Sequence, residues 1–131
     1  MSSFKLLGSL ILAFILVGCG RVQPVMNVEN TPVAYNLQSN QVKNAIIEAA
    51  SDRGWIVAEV NPGELNATIQ VRSHAAEVRI PYSEKYYSIL YVSSVNLKAE
   101  DGHIHRNYNR WINNLNVDIQ RELAKAAAEQ Q

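Results

Sequence analysis

The sequence is poor in cysteine, lacks a charge excess of either sign and has no long hydrophobic run. A single cysteine, Cys19, stands among 131 residues, so an internal disulfide and a multi-cysteine metal set are both excluded. Lysine and arginine number 12 against 12 acidic residues. The basic excess typical of nucleic-acid binders is missing, and no nucleic-acid partner is expected. No segment reaches the roughly 20 apolar residues of a membrane-spanning helix. There is no H-E-x-x-H pair, no nucleophile elbow, no glycine-rich phosphate loop and no internal repeat. Neither a catalytic set nor a resident metal or cofactor is therefore expected.

What is present begins at the N-terminus. Lys5 precedes an apolar run, Leu6 to Val17, broken only by Gly8 and Ser9. That is the charged-then-apolar plan of a secretory signal peptide. Leu16-Val17-Gly18-Cys19 follows and resembles the lipobox cut by the lipoprotein signal peptidase. The resemblance implies that residues 1–18 are removed and that the Cys19 thiolate accepts a diacylglyceryl group, with a further palmitate-type chain on the freed amine. Two or three acyl chains anchor a protein effectively permanently, whereas one anchors it only marginally. In lipoproteins of enteric-type bacteria an Asp after the cysteine signals retention in the inner membrane. Gly20 therefore implies an exported protein on the outer membrane, facing the periplasm.

Removing 18 residues from 131 leaves 113, enough for one compact domain and too few for two. Residues 19–37 are polar, are interrupted by Pro24 and Pro32, and show only a short Val25-Met26-Asn27-Val28 alternation. They read as the lipidated cysteine and a tether with at most one docked strand, reaching on the order of 50 Å. Residues 38–123 read as a single α+β domain, and 124–131 as a fraying alanine-rich tail.

Within the domain, Ser39 or Asn40 can cap a helix whose apolar positions Val42, Ala45, Ile46, Ala49 and Ala50 keep helical spacing up to a stop at Gly54. Trp55 to Val60 reads as a strand, and Asn61-Pro62-Gly63-Glu64 as a type II turn. Leu65, Ala67, Ile69 and Val71 alternate with Asn66, Thr68, Gln70 and Arg72, and a second alternation runs from Ala76 to Tyr82. Tyr86 to Ser93 makes a fourth strand, apolar on both faces. The stripe Ile104, Tyr108, Trp111, Ile112, Leu115, Ile119 and Leu123 then keeps helical spacing for about four turns. The expected fold is helix, four-stranded antiparallel meander, helix, with both helices on one face of the sheet.

Gly54-Trp55, Ile80-Pro81-Tyr82, Tyr87-Ser88-Ile89-x-Tyr91, Ser94 with Asn96-Leu97, and Ile104-His105-x-x-Tyr108-Asn109-x-Trp111 together resemble a group of small proteobacterial envelope lipoproteins. The likeness spans roughly residues 33 to 123. It implies the fold and the address of that family and assigns no catalytic residue.

Two surfaces are candidates for binding. The open sheet face would carry Arg72, Glu77 and Arg79, and the entrance of the last helix would carry His103, His105, Arg106, Asn109 and Arg110. Either would contact an envelope protein or a cell-wall glycan, the five asparagines of the last helix, Asn107, Asn109, Asn113, Asn114 and Asn116, offering amides for such contacts. A rival is a small metal-dependent or hydrolytic enzyme built on His103, His105 and Asp101 with distant His74. A third class is a structural accessory subunit of a membrane assembly. Imidazole and carboxylate are ordinary zinc and iron ligands, yet the pattern lacks a second defined ligand motif. Ser93 and Ser94, weighed as nucleophiles beside His105, read as turn residues.

Overall fold

The computed structural model describes residues 21–130. The expected signal peptide, residues 1–18, and Cys19 lie outside the described residues. In chain order the elements are β1 (Val22–Pro24), β2 (Val28–Pro32), α1 (Ser39–Asp52), β3 (Ile56–Asn61), β4 (Glu64–Val71), β5 (His74–Pro81), β6 (Tyr86–Val95), β7 (His103–His105) and α2 (Arg106–Glu129). No described helix is long and apolar enough to cross a membrane.

The first helix starts one residue earlier than the sequence suggests. Gln38, not Ser39 or Asn40, is the capping residue, and its N–H donates to Gln41 Oε1 at 2.9 Å. Its end is where expected: Gly54 takes φ +90°, and the Trp55 N–H turns back to the Ala50 carbonyl at 3.0 Å. That left-handed position is the conformation glycine tolerates best.

The four consecutive strands pair as antiparallel hairpins, and β2 adds a fifth strand beside β6, giving the order β2-β6-β5-β4-β3. Alternation sorts the strands' side chains. Leu65, Ala67, Ile69, Ala76, Val78 and Ile80 are buried and form one core with Val42, Ile46 and Ala50 of α1 and Tyr108, Ile112, Leu115, Ile119 and Leu123 of α2. Thr68 and Gln70 on the opposite face stay exposed.

Two segments differ from the sequence expectation. Residues 22–32, read within a tether, carry β1 and β2, and β1 pairs with β7 in a separate two-stranded sheet. Val28 is only 7% exposed and Leu37 4%. The segment looks polar because main-chain bonding holds it: the Tyr91 N–H donates to Asn27 Oδ1 at 2.8 Å and the Asn30 N–H to Ser88 Oγ at 2.8 Å. The alanine-rich tail does not fray at residue 124 either. The helix continues to Glu129, Ala126 and Ala127 pack against the core, and Gln130 Nε2 donates to the Asn36 carbonyl at 3.2 Å. Alanine is the best helix former and loses no side-chain entropy when it packs.

One buried charge ties the helices together. Asp118, 8% exposed, accepts from Arg53 Nε at 2.6 Å and from Arg121 Nη1 at 3.3 Å. The Arg53 hydrogen bond, with the charges of Arg53 and Arg121, holds this carboxyl below its ordinary value against the opposing effect of burial. An unfolded Asp titrates at about 3.9, so the folded state binds fewer protons there. The stabilisation is complete above that pH and is lost as pH falls through the lower folded value. Acid unfolding followed by circular dichroism is expected to show an Asp118→Asn variant losing less stability than the parent over this window, from a lower starting point at neutral pH.

Candidate functional site

The two candidate surfaces fall on different parts of the molecule. On the sheet's outer face, Arg79 Nη1 donates to Glu64 Oε1 at 2.7 Å, and Glu77 Oε1 accepts from Ser93 Oγ at 3.1 Å. Both side chains are thus engaged with neighbours on their own face. Beside them the face is apolar: Ile56, 74% exposed, stands opposite Thr68, and Val95, 61% exposed, stands opposite Ala75. These residues, with Gln70, Glu77 and Ser93, line a shallow hollow of about 230 Å³. Sequence alternation missed Ile56 and Val95, because each ends a strand whose buried partners cannot be assigned without the register. Arg72 lies apart from the face, in the β4–β5 turn with φ +58°.

The second surface is built by β1, β7, the 96–102 loop and the start of α2. The His105 N–H donates to the Leu97 carbonyl at 2.8 Å, and the Arg106 N–H to the Arg21 carbonyl at 3.0 Å. His105 is the cap of α2: its Nδ1 accepts from the Asn107 N–H at 3.1 Å. The proton of the neutral ring therefore sits on Nε2. Desolvation lowers its pKa, and Lys98, Arg106, His74 and Arg21 lower it further. His103 Nδ1 donates to the Asp101 carbonyl at 2.9 Å, and His74 Nδ1 to the Asn96 carbonyl at 2.8 Å.

This geometry does not assemble the metal set considered from the sequence. Among the described residues, the only three His, Cys, Asp or Glu side chains with ligand atoms within 4.8 Å of one another are Glu48, Asp52 and Glu122, on the two helices. His103, His105 and Asp101 do not converge. The serine and histidine idea also separates, since Ser93 bonds Glu77 and Ser94 Oγ lies 2.8 Å from the Tyr91 hydroxyl.

Two asparagines of α2 turn out to face inward. Asn109 Oδ1 accepts from the Met26 N–H at 2.9 Å, while its Nδ2 donates to the Pro24 carbonyl at 2.9 Å and to Gln23 Oε1 at 3.1 Å. One amide thus fixes the chain between β1 and β2, a role invisible in a polar helical stripe. Asn116 accepts from the Tyr87 hydroxyl, which in turn accepts from Gln120 Nε2 at 2.7 Å. Replacing Asn109 by alanine leaves the Met26 N–H and Pro24 carbonyl to water and is expected to cost about 1–3 kcal/mol. Denaturant titration would measure that loss, and hydrogen exchange should show it concentrated in residues 22–28. Arg110, one helical turn beyond Arg106, borders an open hollow with Gln23 and Asn113.

No protein-family model, no curated protein and no solved structure matches this chain.

Proposed function

We propose that the protein is a lipid-anchored envelope lipoprotein, on the outer membrane and facing the periplasm, that binds a partner rather than transforming a substrate. The address rests on Leu16-Val17-Gly18-Cys19 behind a charged and apolar leader, and on the resemblance to small proteobacterial envelope lipoproteins. The binding reading rests on the outer face of the sheet. Ile56 and Val95 are exposed there around the shallow hollow, and β3 leaves the edge of the sheet open. An exposed apolar patch beside an unpaired strand edge is a common place for another protein to add. An envelope protein is the occupant this surface fits best, since the exposed side chains of Ile56 and Val95 offer a glycan no hydrogen bond.

The observation that carries this reading is the 74% exposure of Ile56 on a face where Arg79 is paired with Glu64 and Ser93 with Glu77. A photo-crosslinking residue at Ile56 or Val95 is expected to capture one discrete envelope protein in cells. The same residue at Glu84, in the β5–β6 turn, should capture none. Equal and diffuse labelling at all three positions would contradict the proposal.

A further inference from the structure

The near-neutral composition conceals a polarised molecule. Arg21, Lys98, Arg106 and Arg110 are exposed and lie together at the end formed by β1, β7, the 96–102 loop and the start of α2. Among the described residues, the ion pairs are Lys43–Glu59, Arg53–Asp118, Arg79–Glu64 and Arg121–Asp118. None involves these four cations. His74 joins them through Asn96, and Arg72 stands in the adjoining turn, whose Ser73 Oγ accepts from Asn96 Nδ2 at 3.1 Å. Glu100 and Asp101 are the carboxylates of this end, in the loop before β7. Glu100 bridges to His103 through main-chain hydrogen bonds of 3.0 and 2.9 Å, while Lys98, Arg106 and Arg21 act on His105 at the centre of the group.

This end is also where the chain begins its fold. Val22 already pairs with His105, and three residue steps separate it from Cys19. Even fully extended, three steps span only about 11 Å. An anchor at Cys19 would therefore hold the cationic end within about one Debye length of the lipid headgroups, where charge attraction survives screening.

We propose that this end is a membrane-docking surface: Arg21, Lys98, Arg106 and Arg110 seat the domain on anionic phospholipid headgroups. The opposite end, with the β5–β6 turn and the start of α1, then points away from the bilayer. The proposal rests on the lipid-anchor reading for its geometry, while its charge pattern stands independently. Docking fixes the domain's orientation and presents the Ile56 face sideways, along the membrane.

Each cation near an anionic surface contributes about 1 kcal/mol, roughly a fivefold change in partitioning. The mature chain carrying Cys19→Ser is expected to bind vesicles containing phosphatidylglycerol and to ignore phosphatidylcholine vesicles. Arg21→Gln, Lys98→Gln, Arg106→Gln and Arg110→Gln together should weaken that binding on the order of several hundredfold, and high salt should abolish it. The control variant Lys43→Gln, Lys85→Gln and Lys125→Gln should change it less than twofold, and unchanged circular dichroism would show both variants folded. In the full lipidated protein on the same vesicles, a spin label at Glu100→Cys should report headgroup contact and one at Glu84→Cys should report water. Equal binding to both vesicle types, or equal loss in both sets of substitutions, would overturn the docking surface even with Cys19 acylated. An unmodified Cys19 with charge-dependent vesicle binding intact would overturn the anchor reading alone.

Discussion

Cys19→Ser is expected to abolish incorporation of labelled palmitate and to block removal of residues 1–18. The chemistry allows little else. Thioether formation needs a thiolate, serine supplies none at physiological pH, and Cys19 is the only cysteine in the chain. The lipidated form would carry two or three acyl chains, each buried methylene contributing about 0.8 kcal/mol. Without them, attachment falls to the leader and the surface charges. Leu6 to Val17 is too short to span a bilayer, which takes about 20 apolar residues. The leader should also persist, because lipidation precedes the cut in this processing route, and the mass of the variant would show residues 1–18 still attached. A variant that stays membrane-bound and is still cleaved before residue 19 would mean that the cysteine is incidental.

Deleting residues 21–38 from the mature chain should prevent cooperative folding. A tether would be dispensable, but this segment supplies the edge strand beside β6 and the buried side chains of Val28 and Leu37. Burying two such aliphatic side chains contributes about 1.5–3 kcal/mol each. The deletion also strips partners from the Tyr91 N–H, Ser88 Oγ and Asn109, at about 1 kcal/mol or more apiece. The sum rivals the whole stability of a small domain, about 5–15 kcal/mol. Thermal unfolding by circular dichroism is expected to show no sigmoidal transition, or a midpoint lowered by more than about 20 °C. Removing only residues 19 and 20 should leave the midpoint unchanged. If the long deletion melts like the parent, β1 and β2 are not part of the cooperative unit.

This contrast marks what the sequence reveals and what it hides. Leu65 to Val71 and Ala76 to Ile80 alternate cleanly because one face of each strand is buried, and α1 and the stripe of α2 keep helical spacing for the same reason. β4, β5 and the two helices were legible on those grounds, and β6 as a run apolar on both faces. Residues 22–32 bury Val28, with Val25 and Met26 in part, and otherwise dock through main-chain groups and amide side chains, so no sustained hydrophobic period announces them. The surfaces were less legible still. Glu77 and Arg79 are placed on the outer face as alternation requires, but their pairing with Ser93 and Glu64 depends on register. Asn109 reads as a surface amide and is a clamp on the incoming chain. Arg21, Lys98 and Arg106 are far apart in sequence, and counting charges alone gives neutrality. Only the pairing of Val22 with His105 and the backbone bonds to Leu97 and Arg21 bring them to one end.

Membrane attachment through Cys19 underlies both the proposed address and the orientation of the domain. The intact mass of the protein, extracted from its native membrane in detergent, tests it most directly. The account predicts a chain that begins at Cys19, lacks residues 1–18, and carries the added mass of a diacylglyceryl group with or without a third acyl chain. A full-length chain, or a cleaved chain whose Cys19 bears no lipid, would contradict it.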